Sequence, residues 1–272
     1  MLMLSDDLPP TWRSGDIYAL LADLEGQVYR DRDGRRTFRF ELDGRGYFAK
    51  VFQGLGWKKL GACLLKCRKP VLSAENEWRV IRCLHRLGVP TMRIMGYGRR
   101  GWNPARRQSF IITEELAPTI SLEAYCRDWK KTPPPPGLKR ALIRRVAGIA
   151  RRLHENGINH RDFYICHFLL DLDRSVSPSG DSTPRLFLID LHRAEQSAHL
   201  KTRWRIKDIA GLYFSSLDIG LTTRDHLRFV QTYCNRPWRD ALLTRKRFWQ
   251  RVVRRGQAGY REFERKNPDF FR

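Results

Sequence analysis

The run Gly157-Ile158-Asn159-His160-Arg161-Asp162 lies between a helical stretch and a strand. A carboxylate on such a loop can orient an acceptor hydroxyl and take its proton late in a phosphoryl transfer. A surface loop holding a satisfied Asp–Arg pair is the plainer reading, but the setting between helix and strand favours catalysis by Asp162. The same chemistry needs a metal ligand and a cation on the phosphate tail. The apolar run Leu186-Phe187-Leu188-Ile189 delivers Asp190 at its end, and Mg²⁺ takes hard oxygen ligands of this kind. His167 stands five residues after Asp162, where loops of the His-Arg-Asp kind carry a metal-binding asparagine. Imidazole prefers softer metals, so His167 is either a metal ligand or a hydrogen-bonded structural histidine.

Lys50 sits inside the apolar strand Tyr47-Phe48-Ala49-Lys50-Val51-Phe52. In a phosphotransferase such a lysine reaches the nucleotide phosphates and pairs with a helix glutamate. Glu75 and Glu77 are both available, and Glu77, beside Trp78, is nearer the apolar face. An edge-strand lysine facing water is the alternative. The stretch Arg30-Asp31-Arg32-Asp33-Gly34-Arg35-Arg36 has one glycine where a phosphate-covering loop would have several. Either side-chain charge replaces backbone amides there, or the turn is simply solvated. Asp208 caps the helix it belongs to or braces the catalytic loop from below.

Residues 38–42 alternate with period two, Asp43-Gly44-Arg45-Gly46 marks a turn, and 47–52 reads as the return strand. Ala74, Trp78, Ile81, Leu84 and Leu87 recur at helical spacing before Gly88 and Pro90 stop the helix. Residues 109–113 form a buried strand, and Ser121 caps a short helix. Four prolines, 133–136, make a stiff connector. Leu138, Leu142, Val146, Ile149 and Leu153 mark one face of a strong helix that Asn156-Gly157 ends in a left-handed cap. Strands over 168–170 and 186–189 pair as a hairpin through the polar loop 175–184, and basic, aromatic-rich helices follow from about residue 204. This order predicts an α+β, protein-kinase-like bilobal fold. A small strand-rich nucleotide lobe covers 1–115, and a larger helical lobe covers 116–272 with the catalytic loop, metal site and acceptor site. Glu114 and Leu116, in the connector, are candidate nucleotide contacts.

The chain has 272 residues, a formal net charge of +23, and 40 Arg against 12 Lys. Such a balance implies anionic partners, and arginine favours forked recognition of phosphate and carboxylate. A base composition that favours arginine codons would also raise the Arg share. Six cysteines are scattered without metal-ligand spacing, which suits reduced thiols. No apolar run reaches 18 residues, and the N-terminus lacks the pattern of a secretory leader.

At these residues the sequence resembles the lipopolysaccharide core heptose(I) kinases, the WaaP (RfaP) family. The run 157–170, Gly-Ile-Asn-His-Arg-Asp-Phe-Tyr-Ile-Cys-His-Phe-Leu-Leu, carries the resemblance, with further matches at 109–114, 118–122, 189–193 and 211–216. It implies ATP- and Mg²⁺-dependent phosphorylation of the first inner-core heptose, at the cytoplasmic face of the inner membrane. Asp162 would be the catalytic aspartate, Asp190 the metal aspartate, and Lys50 with Glu77 the nucleotide-lobe pair. His167 and the Asp190-Leu191-His192 triplet depart from the protein-kinase pattern and bear on how a second metal is held.

The charge then finds a use on an anionic glycolipid and the membrane surface around it. The segment 55–69 reads as a basic interfacial helix or a packing helix, and 245–255 is a second basic-aromatic stretch. A protein kinase lacks support, because nothing like Ala-Pro-Glu follows Asp190. A nucleic-acid binder would leave Asp162 without a role, so no nucleic-acid partner is expected. A scaffold for an acidic protein, such as acyl carrier protein, is compatible with the charge and with the enzyme reading alike.

Overall fold

The computed structural model describes residues 1–32, 34–54, 56–57, 61, 73–103, 105–173 and 184–267. The helix expected over 55–69 falls almost wholly outside these residues, as do Cys63, Cys67 and most of the loop 175–184. The chain divides into two compact units, Met1–Cys83 with Thr91–Leu116 and Leu191–Arg193, and Leu84–Pro90 with Ala117–Asp190 and Ala194–Arg272.

The first unit is built on a six-stranded antiparallel sheet. Its strands are β1 (Leu2–Leu4), β2 (Gln27–Arg32), β3 (Arg35–Leu42), β4 (Arg45–Phe52), β5 (Ile94–Arg100) and β6 (Gln108–Glu114), in the order β1-β5-β6-β4-β3-β2. Asp43 and Gly44 close the β3–β4 hairpin with φ of 49° and 73°, the mirror-image turn that matches strand twist. Phe38, Phe40, Tyr47, Ala49 and Val51 bury one face against Trp12 of α1 (Thr11–Ser14) and Ile17 and Leu21 of α2 (Ile17–Asp23). Lys50, one residue out of phase, points to the opposite face. There Glu77 of α3 (Glu75–Arg86) meets it, and Trp78 stacks on Tyr97 at 4.7 Å.

At the end of the β2–β3 hairpin Asp31 pairs with Arg36 and Arg32 with Arg35. Arg36 is engaged in structure, donating to the carbonyls of Ala22 and Leu24 at the end of α2 (2.7 and 3.0 Å).

The second unit is mainly helical. It holds β7 (Thr119–Ser121), α4 (Leu122–Tyr125), α5 (Pro136–Glu155), β8 (Ile158–Asn159), β9 (Phe168–Asp171), β10 (Leu186–Leu188), β11 (Glu195–Gln196), α6 (Thr202–Ser215), α7 (Thr223–Cys234), α8 (Trp238–Thr244) and α9 (Lys246–Lys266). Helix α5 starts on a proline at its first position, where no backbone donor is lost. Leu138, Leu142, Val146, Ile149 and Leu153 all lie buried on one face, each contributing roughly 1.5–3 kcal/mol relative to exposure. β9 and β10 pair antiparallel, with Leu188 opposite Phe168.

Helix α9 turns Trp249, Val252 and Gly256 inward and leaves Arg247, Arg251, Arg254 and Arg255 exposed. A Cβ on Gly256 would lie 2.6 Å from the Tyr213 ring and 3.1 Å from the Ala210 carbonyl. The missing side chain is what lets α9 close on α6. Helices α5 to α9 also enclose an apolar cavity of about 280 Å³, lined by residues such as Leu142, Val146, Ile209, Leu212 and Val252. Among the described residues no helix is long and apolar enough to cross a membrane.

Gly157, after α5, has φ of 73°, and a Cβ there would fall 1.9 Å from the Ser197 carbonyl oxygen. Gly157→Ala is expected to lower unfolding free energy by more than about 2 kcal/mol. Gly148, inside α5 with open space around it, is the control. Gly148→Ala is expected to raise stability by about 0.5–1 kcal/mol, and urea unfolding of the two variants measures both.

Candidate active site

The loop that follows β8 is laid along one face of α6. Asp208 sits in mid-helix, so it is no cap. Its buried carboxylate accepts the backbone N–H of His160 at 2.8 Å and of Arg161 at 2.9 Å. His154 Nε2 lies 3.3 Å from the same carboxylate, and its Nδ1 is 2.7 Å from the Tyr233 hydroxyl. One turn on, a Cβ at Gly211 would meet the Phe163 carbonyl at 2.8 Å. A further turn on, Ser215 Oγ accepts the N–H of Ile165 at 3.0 Å. Positions 208, 211 and 215 share one helical face, so a single stripe of α6 holds residues 160–165.

Arg161 adopts φ of 74°, a left-handed conformation that is costly for a residue with a side chain. Arg161 lies over the Trp204 ring and 3.4 Å from Glu195.

Two histidines join the loop to the end of β10. His160 Nε2–H donates to the Ile189 carbonyl at 2.9 Å, since a carbonyl only accepts. Its buried Nδ1 meets no partner, and burial pulls its pKa below the ordinary histidine value, so the ring is neutral. His167 Nδ1–H donates to the carbonyl of Asp162 at 2.7 Å. Its Nε2 lies 3.5 Å from Asp190 Oδ2, and its own carbonyl accepts the N–H of Ile189 at 3.0 Å. Asp190, at φ of 59°, is the second strained residue of the site. Asp162, His167 and Asp190 are thus brought together.

With Nδ1 committed to a carbonyl, a neutral His167 turns a lone pair toward a carboxylate. That contact is favourable only with a cation between the two, a proton or a metal ion. Asp190 supplies the hard oxygen that Mg²⁺ takes, and His167 stands beside it as a softer donor. No group of three or more His, Cys, Asp or Glu gathers among the described residues. Cys166 adds no thiolate, because burial pushes its thiol up to about 11.

In the strand-rich unit Lys50 Nζ lies 2.6 Å from Glu77 Oε1, and Glu77 is almost wholly buried. Glu75, the other candidate, binds Arg79 and Arg99 instead. In the connector, Arg39 grips Glu115 through Nε and Nη2 at 2.9–3.0 Å. Gly46 leaves room for that carboxylate, since a Cβ there would overlap it at 1.8 Å. Glu114, 3.8 Å from Arg93, and Leu116 are both half-buried.

The parts that sequence reasoning missed are His154, Tyr233, Ser215 and the His160–Ile189 bond. The spacing of Asp208, Gly211 and Ser215 on one face of the helix was the available signal for the loop support. Nothing local marked Tyr233, which lies 79 residues from His154.

Asp208→Asn replaces an acceptor oxygen by an amide that opposes one of the two loop N–H groups. It is expected to cost about 2–3 kcal/mol of stability and to lower turnover with it. Urea unfolding and steady-state rates on the same preparation check both.

A family model described as "Lipopolysaccharide kinase (Kdo/WaaP) family" matches residues 20–233. A Pseudomonas aeruginosa protein named lipopolysaccharide core heptose(I) kinase WaaP is 52% identical over 241 residues, 89% of this chain and 89% of its own. An Escherichia coli protein of the same name is 48% identical over 242 residues, 89% of this chain and 90% of its own. A solved structure described as "WaaP in complex with acyl carrier protein" aligns with a TM-score of 0.83 and 46% identity, covering 96% of this chain and 99% of that one. The α+β, kinase-like fold expected from the sequence is the fold the chain has.

Proposed function

Because the chain belongs to the lipopolysaccharide kinase (Kdo/WaaP) family, we propose that it transfers the γ-phosphoryl group of ATP to the first heptose of the lipopolysaccharide inner core. The observation that carries the reading is the Asp162–His167–Asp190 arrangement. One imidazole ties the loop that bears a catalytic carboxylate to the strand end that bears a metal-binding one.

Asp162 accepts a hydrogen bond from the heptose hydroxyl and takes its proton as the oxygen–phosphorus bond forms. The bond between the γ-phosphorus and the β–γ bridging oxygen breaks, and ADP leaves. Lys50, held by Glu77, binds the α- and β-phosphates. Glu114 and Leu116 contact the nucleotide. Asp190 would hold Mg²⁺ through a carboxylate oxygen, with His167 Nε2 as the second candidate ligand. A bound Mg²⁺ would neutralise charge on the phosphates. Residues 1–115 serve as the nucleotide lobe, and 116–272 carry catalysis and the acceptor.

The acceptor is an anionic glycolipid, and the arginine-rich surface suits a peripheral position at the cytoplasmic face of the inner membrane. Acyl carrier protein is a partner by analogy with the relative solved in its complex. The net charge of +23 suits an acidic protein, and the apolar cavity of the helical unit could receive a hydrocarbon chain.

Asp162→Ala is expected to lower kcat for core phosphorylation by at least about 10³-fold at unchanged melting temperature. Near-normal turnover would remove Asp162 from the mechanism. Lys50→Met is expected to weaken ATP use but also to cost about 3 kcal/mol, because Glu77 is left buried without its partner. The double variant Lys50→Met/Glu77→Met separates the two effects. Its melting temperature is expected to recover while ATP turnover stays low, and recovery of both would show the pair to be structural only.

A further inference from the structure

A cleft of about 400 Å³ opens between α6 and α9, and its inner end is the catalytic loop. Arg161, Phe163 and Tyr164 line it, so it adjoins Asp162 on both sides in sequence. Helix α6 contributes Lys207, Gly211 and Phe214 at i, i+4 and i+7. Helix α9 contributes Arg255, Gly259, Glu262 and Lys266 at i, i+4, i+7 and i+11. These are two facing helical stripes, held in register by the close approach at Gly256. Four cations and one carboxylate line the cleft. Glu262 is answered by Lys266 at 2.5 Å, and Arg161 is partly answered by Glu195 at 3.4 Å. The buried Nε of Arg161 meets no hydrogen-bond acceptor. The lining is therefore net positive, with aromatic rings from Tyr164, Phe214 and Phe263 between the charges.

We infer that this cleft binds an anionic substituent of the acceptor saccharide, a carboxylate or a phosphate, and so selects the sugar whose hydroxyl is presented to Asp162. Forked and ammonium donors recognise such groups by charge-assisted hydrogen bonds, and the rings pack against the apolar faces of the sugar. Consecutive Cα atoms are about 3.8 Å apart. Arg161 and Tyr164 therefore bring the lining of the cleft beside Asp162 along the same loop. The inference rests on the phosphotransfer reading for its choice of acceptor.

The test uses the full chain, its exposed Arg255→Glu/Lys266→Glu variant, and purified core glycolipid lacking the heptose phosphate. Acceptor Kd is measured without nucleotide, and kinetics with it. The variant is expected to raise acceptor Kd and KM by at least about tenfold, with KM for ATP and kcat within about twofold of the parent. Carboxyl-reduced and phosphatase-treated glycolipids identify the group, since the variant's penalty disappears on whichever acceptor lacks it. Unchanged acceptor Kd in a folded variant overturns the inference. So does a penalty that survives on both stripped acceptors, or an equal loss of binding to acceptor-free phosphatidylglycerol vesicles, which would make the cleft a membrane contact. Failure of the unaltered enzyme to phosphorylate the glycolipid would instead count against the phosphotransfer reading, while the Kd comparison still decides on the cleft.

Discussion

A buried carboxylate is costly unless donors satisfy it, and Asp208 is satisfied by the loop it supports. Two backbone amides and an imidazole surround it. Arg161, on the loop so attached, has a left-handed conformation that is costly for a residue with a side chain. The geometry of residues 160–165 and helix α6 are therefore one object. Gly211 and Ser215 continue the attachment along the helix, the first by having no side chain and the second by accepting an amide. The His160 and His167 bonds then carry this rigidity to the end of β10, where Asp190 stands.

Much of this was legible in the sequence where the signal was periodic. The β3–β4 hairpin, α3 and α5 show their period of 2 or 3.6 and their stop signals directly, and the structure has them within a few residues. Lys50 stood out because a cation interrupts an apolar strand, and Glu77 could be preferred to Glu75 from its side of the helix. Less legible were the elements that long-range pairing creates. β1 is a strand only because Leu2–Leu4 lies beside Tyr97 and its neighbours, and two-residue β8 and β11 exist only as each other's partners. The segment 30–36 read as a charged loop because arginines dominate it. Cross-strand pairing with 35–42 overrides that local signal.

The charge of +23 invites a reading in terms of partners alone, but the arginines divide by task. Arg36, Arg152 and Arg205 donate to backbone carbonyls at the ends of helices and turns. Arg39 fixes the connector through Glu115. A forked donor that stays charged when half-buried suits this use. Lysine in these places would lose the second bond. The arginines of the outer face of α9 have no such internal duty on the scale of the others, and they carry the part of the charge that faces solvent.

Loops are usually where backbone amides exchange with solvent fastest, because few of their hydrogen bonds are buried. The amides of His160 and Arg161 break that pattern. Each points into a carboxylate sealed beneath α6, and neither can be released without detaching the loop from the helix. Their deuterium uptake should follow global unfolding. The two residues before Asp162 thus set a limit on how far this loop can relax while helix α6 stays folded.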